Sequence, residues 1–314
     1  MLQIAVVGTG SIGLSHLKAI EQSQNCELCA ICDVNEEVLH KLSEEYHVPG
    51  FTDYKEIVTK TKAEAVILNL PHFLHCEATE FFLDNGLHVL IEKPMANTVE
   101  ECDRMIAAAV RNNKKLAVGH VQRYFKGNRK VKEIYESGEL GRLCMFTEFR
   151  SIDYFVPTRP KWFLDKKKAG GGIVMNYGAH ALDKLFYVMG CGSATVESAV
   201  GNIKNDATIE GHAQFLAKFT NGVSACISFN GYIGTGYESY YYFTDGAIRV
   251  LGTDEVWKNK GTGWEKVECE DIGSGMLLQL EEFIKYVKGE PSEIVTGEYG
   301  RSVIAVIEGV YREC

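Results

Sequence analysis

The chain has 314 residues, 46% hydrophobic and 24% charged, which is enough apolar material for a large core and predicts two domains. A formal net charge of −9 argues against nucleic acid or an anionic membrane as the main partner, no run of Lys and Arg reverses it, and a small-molecule function becomes the expectation. Leu2 to Gly10 carries no charged leader or signal-type apolar region, no segment reaches the roughly 18 apolar residues of a membrane span, and ten cysteines are too dilute for a disulfide scaffold, so the reading is cytoplasmic.

Ile4 to Gly8 is a short apolar run that breaks into Gly8-Thr9-Gly10-Ser11-Ile12-Gly13, after which Leu14, Leu17 and Ile20 recur at helical spacing. This is strand, tight turn and helix. In that context Gly8 permits the turn, Gly10 lets the backbone approach a pyrophosphate, Gly13 allows helix to pack on strand, and the first amides of the helix face the phosphates. The same motif predicts an acidic residue about 20 positions later for the adenosine ribose, and the count from Gly13 lands on Asp33. Cys26, Cys29 and Cys32 then fall on the second strand. Side chains alternate along a strand, so the three sulfurs point to different faces, and no second C-x-x-C supplies further ligands; the expectation is packing, with no metal.

Alternation continues with a helix at 36–45, a strand at 65–70, a helix at 74–85 and a strand at 88–92. Thr98 to Glu101 forms a capping box that opens a helix toward Asn112, and Leu116 to Gly119 is a further strand. Strands separated by helices predict a doubly wound parallel α/β sheet over residues 1–121, a Rossmann domain with its ligand at the carboxyl ends of the strands. Those ends are Gly8, Asp33, Asn69 to Pro71, Glu92 to Pro94 and Gly119 to Arg123.

From about Leu143 the pattern favours strands, with Asn221-Gly222 and Asp245-Gly246 as hairpin signals. One helix interrupts them after Gly170-Gly171-Gly172, and two amphipathic helices, 276–288 and 298–313, close the chain. Residues 122–314 are therefore expected to form an α+β domain with a large open, mainly antiparallel sheet, and the active site to lie in the cleft between the domains.

The chain resembles the Gfo/Idh/MocA family, that of glucose-fructose oxidoreductase and inositol dehydrogenase. The resemblance rests on Gly8-x-Gly10-x-x-Gly13, Asp33, Leu70 to His75, Glu92-Lys93-Pro94, Gly119 to Tyr124, Gly170 to Asp183 and Val306 to Arg312, and runs over essentially the whole chain. It implies an NAD(P)-dependent dehydrogenase acting on a sugar, cyclic polyol or related compound, and dimers or tetramers built through the open sheet face. It places Lys93 beside nicotinamide and substrate, gives His180 a part in proton transfer, and assigns cofactor contacts to Gly8, Gly10, Ser11, Ile12, Gly13, Asp33, Asn69, Leu70, Pro71, His72, His75, Glu92, Lys93 and Gln122.

Chemistry supports those roles. Oxidising an alcohol needs a base within about 3 Å of the hydroxyl, which a histidine supplies near neutral pH, while a lysine stabilises the developing oxyanion. Asn176 stands where the family commonly has aspartate, four residues before His180, and can hydrogen-bond a substrate hydroxyl without accepting a proton. Asp183 is one turn beyond. His72 replaces a usual asparagine; with His75 it makes an H-x-x-H pair that lacks a third ligand. Asp33, with no arginine immediately after it, favours NAD over NADP. Arg123, Tyr124, Tyr154, Arg159, Trp162 and Lys168 join Asn176 and His180 as substrate candidates, and the basic loop 159–168 suits a carboxylate or phosphate. The alternatives are a redox-neutral, glycosidase-like enzyme using NAD transiently, and a catalytically silent NAD-dependent binder or regulator.

Overall fold

A computed structural model describes residues 1–203 and 207–314. In chain order the first elements are β1 (Leu2–Val7), α1 (Ser11–Gln22), β2 (Cys26–Cys32), α2 (Glu36–Tyr46), β3 (Gly50–Phe51), α3 (Lys55–Lys60), β4 (Ala65–Leu68), α4 (His75–Asp84), β5 (His88–Glu92), α5 (Val99–Arg111) and β6 (Leu116–Gly119). Next come α6 (Lys126–Ser137), β7 (Leu143–Ser151), α7 (Lys166–Ala169), α8 (Ala179–Met189), β8 (Ala194–Ile203), β9 (Glu210–Phe219), β10 (Ser224–Asn230) and β11 (Gly236–Phe243). The chain closes with β12 (Ala247–Leu251), β13 (Glu255–Asn259), β14 (Trp264–Val267), α9 (Gly275–Lys288), β15 (Val295–Thr296) and α10 (Gly297–Glu313).

The chain forms two compact units, Met1–Val121 with Gly273–Arg301, and Gln122–Ile272 with Ser302–Cys314. The first sheet runs β15-β6-β5-β4-β1-β2-β3, parallel except for β15, with its topological switch point between β1 and β4. Ile4, Val6, Ile31, Ala65, Ile67 and Leu90 fill its core. Segment 273–301 belongs to this unit and not to the second domain expected from sequence. The reason is packing: Leu280, Phe283 and Ile284 of α9 join Leu17 and Ile20 of α1 in one apolar cluster, and Val295 pairs with Val118. No short-range pattern encodes a return of the chain after so long an excursion.

Local chemistry sets the element starts. Thr98 caps α5 by accepting from the Glu101 amide at 3.1 Å, while the Glu101 carboxylate reaches back to the Asn97 amide at 2.9 Å, one residue earlier than a standard capping box. On β2 the pairing with β1 steps from Leu28 to Ala30, so Cys29 is bypassed and the simple alternation read from sequence is interrupted there. Cys26 and Cys32 are buried and Cys29 half-buried. Burial pushes the Cys29 thiol up to about 11 and that of Cys32 to about 12, as suits packing rather than reactivity.

The second sheet runs β14-β13-β12-β11-β7-β10-β9-β8, antiparallel apart from the parallel β7 and β10 pair. β8, β13, β14 and α6 were not apparent in the sequence. Inward residues such as Phe215 and Phe219 are buried, with Phe219 edge-on to Phe186 of α8 at 5.8 Å, whereas Met145, Phe149, Val200 and Leu216 are exposed. That is an open, partly apolar face.

Candidate functional site

The first unit carries a dinucleotide cradle. Gly8 has φ of +84°, and a Cβ there would lie 2.6 Å from the Asn69 carbonyl oxygen; one on Gly13 would lie 2.1 Å from the Gly8 oxygen. Both positions must be glycine for β1 to turn sharply into α1. A Cβ on Gly10 would meet nothing within 4 Å, so this glycine is open. α1 has no side-chain cap and no acid in its first turn, leaving the amides of its first residues, including Ser11 and Ile12, for an anion. At the end of β2, Asp33 Oδ2 accepts from both the amide and the hydroxyl of Thr9, each at 2.7 Å, and Oδ1 accepts from the Asn35 amide at 2.9 Å. Glycine turn, uncapped helix and oriented carboxylate fit NAD.

The other strand ends are tied together. Asn69 donates its side-chain amide to the Gly8 carbonyl at 3.1 Å. The buried His75 ring lies 2.7 Å from the Leu70 oxygen and 3.0 Å from that of Pro94, which joins the loop after β4, with Leu70, Pro71 and His72, to the loop carrying Lys93. His72 is buried with its ring edge-on to His75 at 5.6 Å. Among the described residues no group of three or more His, Cys, Asp or Glu could hold a metal ion.

Lys93 is half-buried and precedes a cis proline. Glu92, assigned to cofactor contact from sequence, is placed inward: it is 7% exposed, meets His16 of α1 at 3.0 Å, accepts from the Lys93 amide at 3.1 Å, and fits because residue 119 is glycine. Burial would raise its carboxyl, but the hydrogen bond and charge of His16, with Lys93, prevail and hold it below the usual range.

In the second unit, a π-helical turn, Val174–Gly178, leads directly into α8. Asn176 sits in that turn and His180 in the first turn of α8, both mostly buried. Such turns are often found at functional sites. Glu210 holds the entry, accepting from the Gly172 amide at 2.9 Å and the Val174 amide at 2.9 Å, and Tyr311 donates to it at 2.8 Å while accepting from the Met175 amide at 3.1 Å. The glycine run is thereby explained: a Cβ on Gly171 would collide with the Tyr311 hydroxyl, and one on Gly172 with the Glu210 backbone.

The substrate candidates divide. Asn176 lies beside the Tyr154 hydroxyl, whose ring stacks edge-on to Tyr177, and Tyr177 lies 6.2 Å from the His180 ring. Arg159 covers the Tyr154 ring at 4.0 Å and approaches Phe163, itself stacked on Trp162. Lys168 is exposed on α7 and Gln122 half-buried in the turn Val121–Tyr124. Arg123 and Tyr124, read as substrate contacts, are buried, and Arg123 donates to Asp183 at 2.5 Å. Sequence reasoning missed Thr9, His16, Glu210, Tyr311 and a buried Glu148, Arg150 and Lys184 cluster. For the last a signal existed: Glu148 and Arg150 share strand parity with Phe146, the core side, and Lys184 interrupts an apolar helix.

Residues 2–120 match the oxidoreductase family, NAD-binding Rossmann fold, and residues 128–257 match the GFO/IDH/MocA C-terminal domain. Myo-inositol 2-dehydrogenase of Thermotoga maritima is 26% identical, over 96% of this chain and 93% of that protein. A 1-carboxy-3-chloro-3,4-dihydroxycyclohexa-1,5-diene dehydrogenase of Comamonas testosteroni is 31% identical over 74% of this chain, and the match spans 58% of that protein's length. The crystal structure of aldose-aldose oxidoreductase from Caulobacter crescentus, complexed with glycerol, shares the fold with a TM-score of 0.90 at 23% identity, covering 99% of this chain and 97% of that one.

Proposed function

The chain belongs to the Gfo/Idh/MocA family of oxidoreductases, and we propose that it is an NAD-dependent dehydrogenase that oxidises a ring hydroxyl of a sugar, cyclic polyol or related compound. The observation that carries this reading is the cradle of Gly8, Gly10 and Gly13 facing an Asp33 carboxylate that Thr9 orients, coincident with the family's NAD-binding region. Relatives named for inositol and for a dihydroxycyclohexadiene favour a hydroxylated ring as substrate.

In this reading His180 takes the hydroxyl proton, Lys93 holds the oxygen and stabilises its developing charge, and Asn176 fixes a neighbouring hydroxyl by hydrogen bonding. NAD, when bound, supplies the hydride acceptor. Asp33 selects against a 2′-phosphate by charge repulsion. Arg159, with the aromatic rings of Tyr154, Phe163 and Trp162, borders the substrate and gives it an affinity for anionic groups. We place the protein in the cytoplasm, assembled as a dimer or tetramer through the open face bearing Met145, Phe149 and Leu216, whose mass light scattering will read.

The test is NADH formation over a panel of polyols and sugars. Lys93→Ala and His180→Ala are each expected to lower turnover at least about a hundredfold with NAD affinity nearly intact. Unchanged turnover in both overturns the assignment, and glycoside cleavage without NADH would favour the redox-neutral alternative.

A further inference from the structure

α8, whose first turn carries His180, contributes Lys184 to a buried set of charges. Lys184 is four residues after His180, hence on the same helical face, with about 6 Å between the two Cβ atoms; helical side chains lean toward the N-terminus, so Lys184 leans back toward the histidine's turn. It is 2% exposed and ion-paired to Glu148 of β7, and it donates to the Ser239 hydroxyl of β11 at 2.6 Å, which donates to the same Glu148 oxygen at 3.1 Å. Arg150 approaches the other Glu148 oxygen at 2.9 Å, and its guanidinium lies over Tyr237 at 4.1 Å and Tyr177 at 5.5 Å. One carboxylate thus faces two basic groups in the interior; burial lowers the pKa of the Lys184 ammonium from its ordinary value, Glu148 beside it opposes that shift, and with Lys184 protonated in the ion pair the cluster carries one net positive charge.

Two further pairs of charges lie on or against α8 within this unit, and the Arg159 guanidinium lies over the Tyr154 ring at 4.0 Å beside Asn176. Asp183 is paired with Arg123, and Lys132 of α6, which reaches the Tyr187 carbonyl at 3.1 Å, is paired with Glu136 at 2.9 Å. Glu210 is committed to the amides before Asn176 and to Tyr311. Tyr177, Tyr154 and Tyr237 contribute neutral rings. Glu148 is held below the usual carboxylate range despite its burial, chiefly by Lys184 and Arg150, so it is ionised. Uncompensated buried charge is costly, and its field is poorly screened at short range.

We propose that the Lys184, Glu148 and Arg150 cluster is a charge-setting and positioning element for His180: it anchors the helix to the sheet, and its net positive charge favours the neutral imidazole that accepts the substrate proton. The inference rests on the role proposed for His180 above.

The experiment follows the His180 imidazole by NMR on ring-labelled histidine in the 314-residue chain, the signal being assigned by its loss in His180→Gln. Lys184→Met removes the net charge, so the titration midpoint should move up by about one pH unit; Glu148→Gln adds a second positive charge and should move it down by a similar amount. The double variant restores the original count and should titrate near the wild type, and because it buries no unpaired lysine it covers the case in which Glu148→Gln fails to fold. The acid limb of kcat/KM, with whichever panel compound yields NADH, should move in the same directions. Midpoints that stay put, or that shift alike in Lys184→Met and the double variant, overturn the proposal. This outcome is separable from failure of the catalytic assignment, which would appear as undiminished turnover in His180→Ala while the NMR midpoints still moved.

Discussion

Thr9 donates both its backbone amide and its hydroxyl to one oxygen of Asp33, each at 2.7 Å, so the residue inside the glycine turn orients the carboxylate that ends β2. Thr9→Val removes one of the two bonds and keeps the shape. NAD should bind a few-fold more weakly, since a hydrogen bond to a charged group contributes about 1.5–3 kcal/mol at most and the amide still holds the carboxylate. Asp33→Asn should go further, removing the charge that repels a 2′-phosphate, so the preference for NAD over NADP should narrow. Calorimetric titration of both variants with both cofactors checks this, and an unchanged preference in Asp33→Asn would remove Asp33 from the reading.

The glycines of the turn are expected to fail in different ways. Gly10→Ala has room for its methyl group and should leave the melting temperature unchanged while blocking close approach of the pyrophosphate, with NAD affinity falling at least tenfold. Gly13→Ala places a methyl group 2.1 Å from the Gly8 oxygen and should lower stability by about 1–3 kcal/mol before any ligand is added. Denaturant unfolding of the ligand-free proteins, paired with NAD titration, separates the two.

The first half of the chain was legible because its signals are local: β5 and β6 follow apolar runs of the expected length, and Gly13 to Asp33 is a fixed spacing within one supersecondary unit. The same holds for the helical stretch that carries Asn176 and His180, which lies within one short window of sequence. Residues brought in from afar were not legible. Tyr311 lies 136 positions from the Met175 amide it accepts from, and His16 lies 76 from Glu92, so no window of sequence contains either pair. The return of α9 onto α1 failed to show for the same reason. Arg123 was read as substrate-facing because it follows a strand end, but its charge is paired with Asp183 across 60 residues.

The His16 and Glu92 pair gives a pH dependence with a definite sign. The folded protein holds the Glu92 carboxyl below its ordinary range, so this group adds stability at pH values above the unfolded value of about 4.3, and the contribution is lost as pH falls toward the lowered folded value. Glu92→Gln cannot titrate. Urea unfolding measured from neutral to acid pH should therefore show a steeper acid loss in the wild type than in the variant. Parallel curves would mean that the buried carboxyl titrates as it does in the unfolded chain.

Tyr311 reaches the π-helical turn that carries Asn176 from the last turns of α10, and it is the group for which Gly171 leaves room. Tyr311→Phe removes the acceptor of the Met175 amide and one donor to Glu210, while the Gly172 and Val174 amides still hold that carboxylate. The orphaned amide should cost about 1–3 kcal/mol, read as a lower denaturation midpoint at unchanged slope. Glu210→Gln weakens all of these contacts together and should cost more, because the amide that replaces the carboxylate offers a single accepting oxygen to two backbone donors and Tyr311. Gly171→Ala should be the most damaging of the three, its methyl group meeting the tyrosine oxygen and ring with no flexible side-chain end to give way. If the π-helical turn carries Asn176 as proposed, Tyr311→Phe should also raise KM for the polyol more than it lowers kcat, since it loosens a substrate contact while leaving Lys93 and His180 in place. A fall in kcat alone would instead assign the clamp to His180.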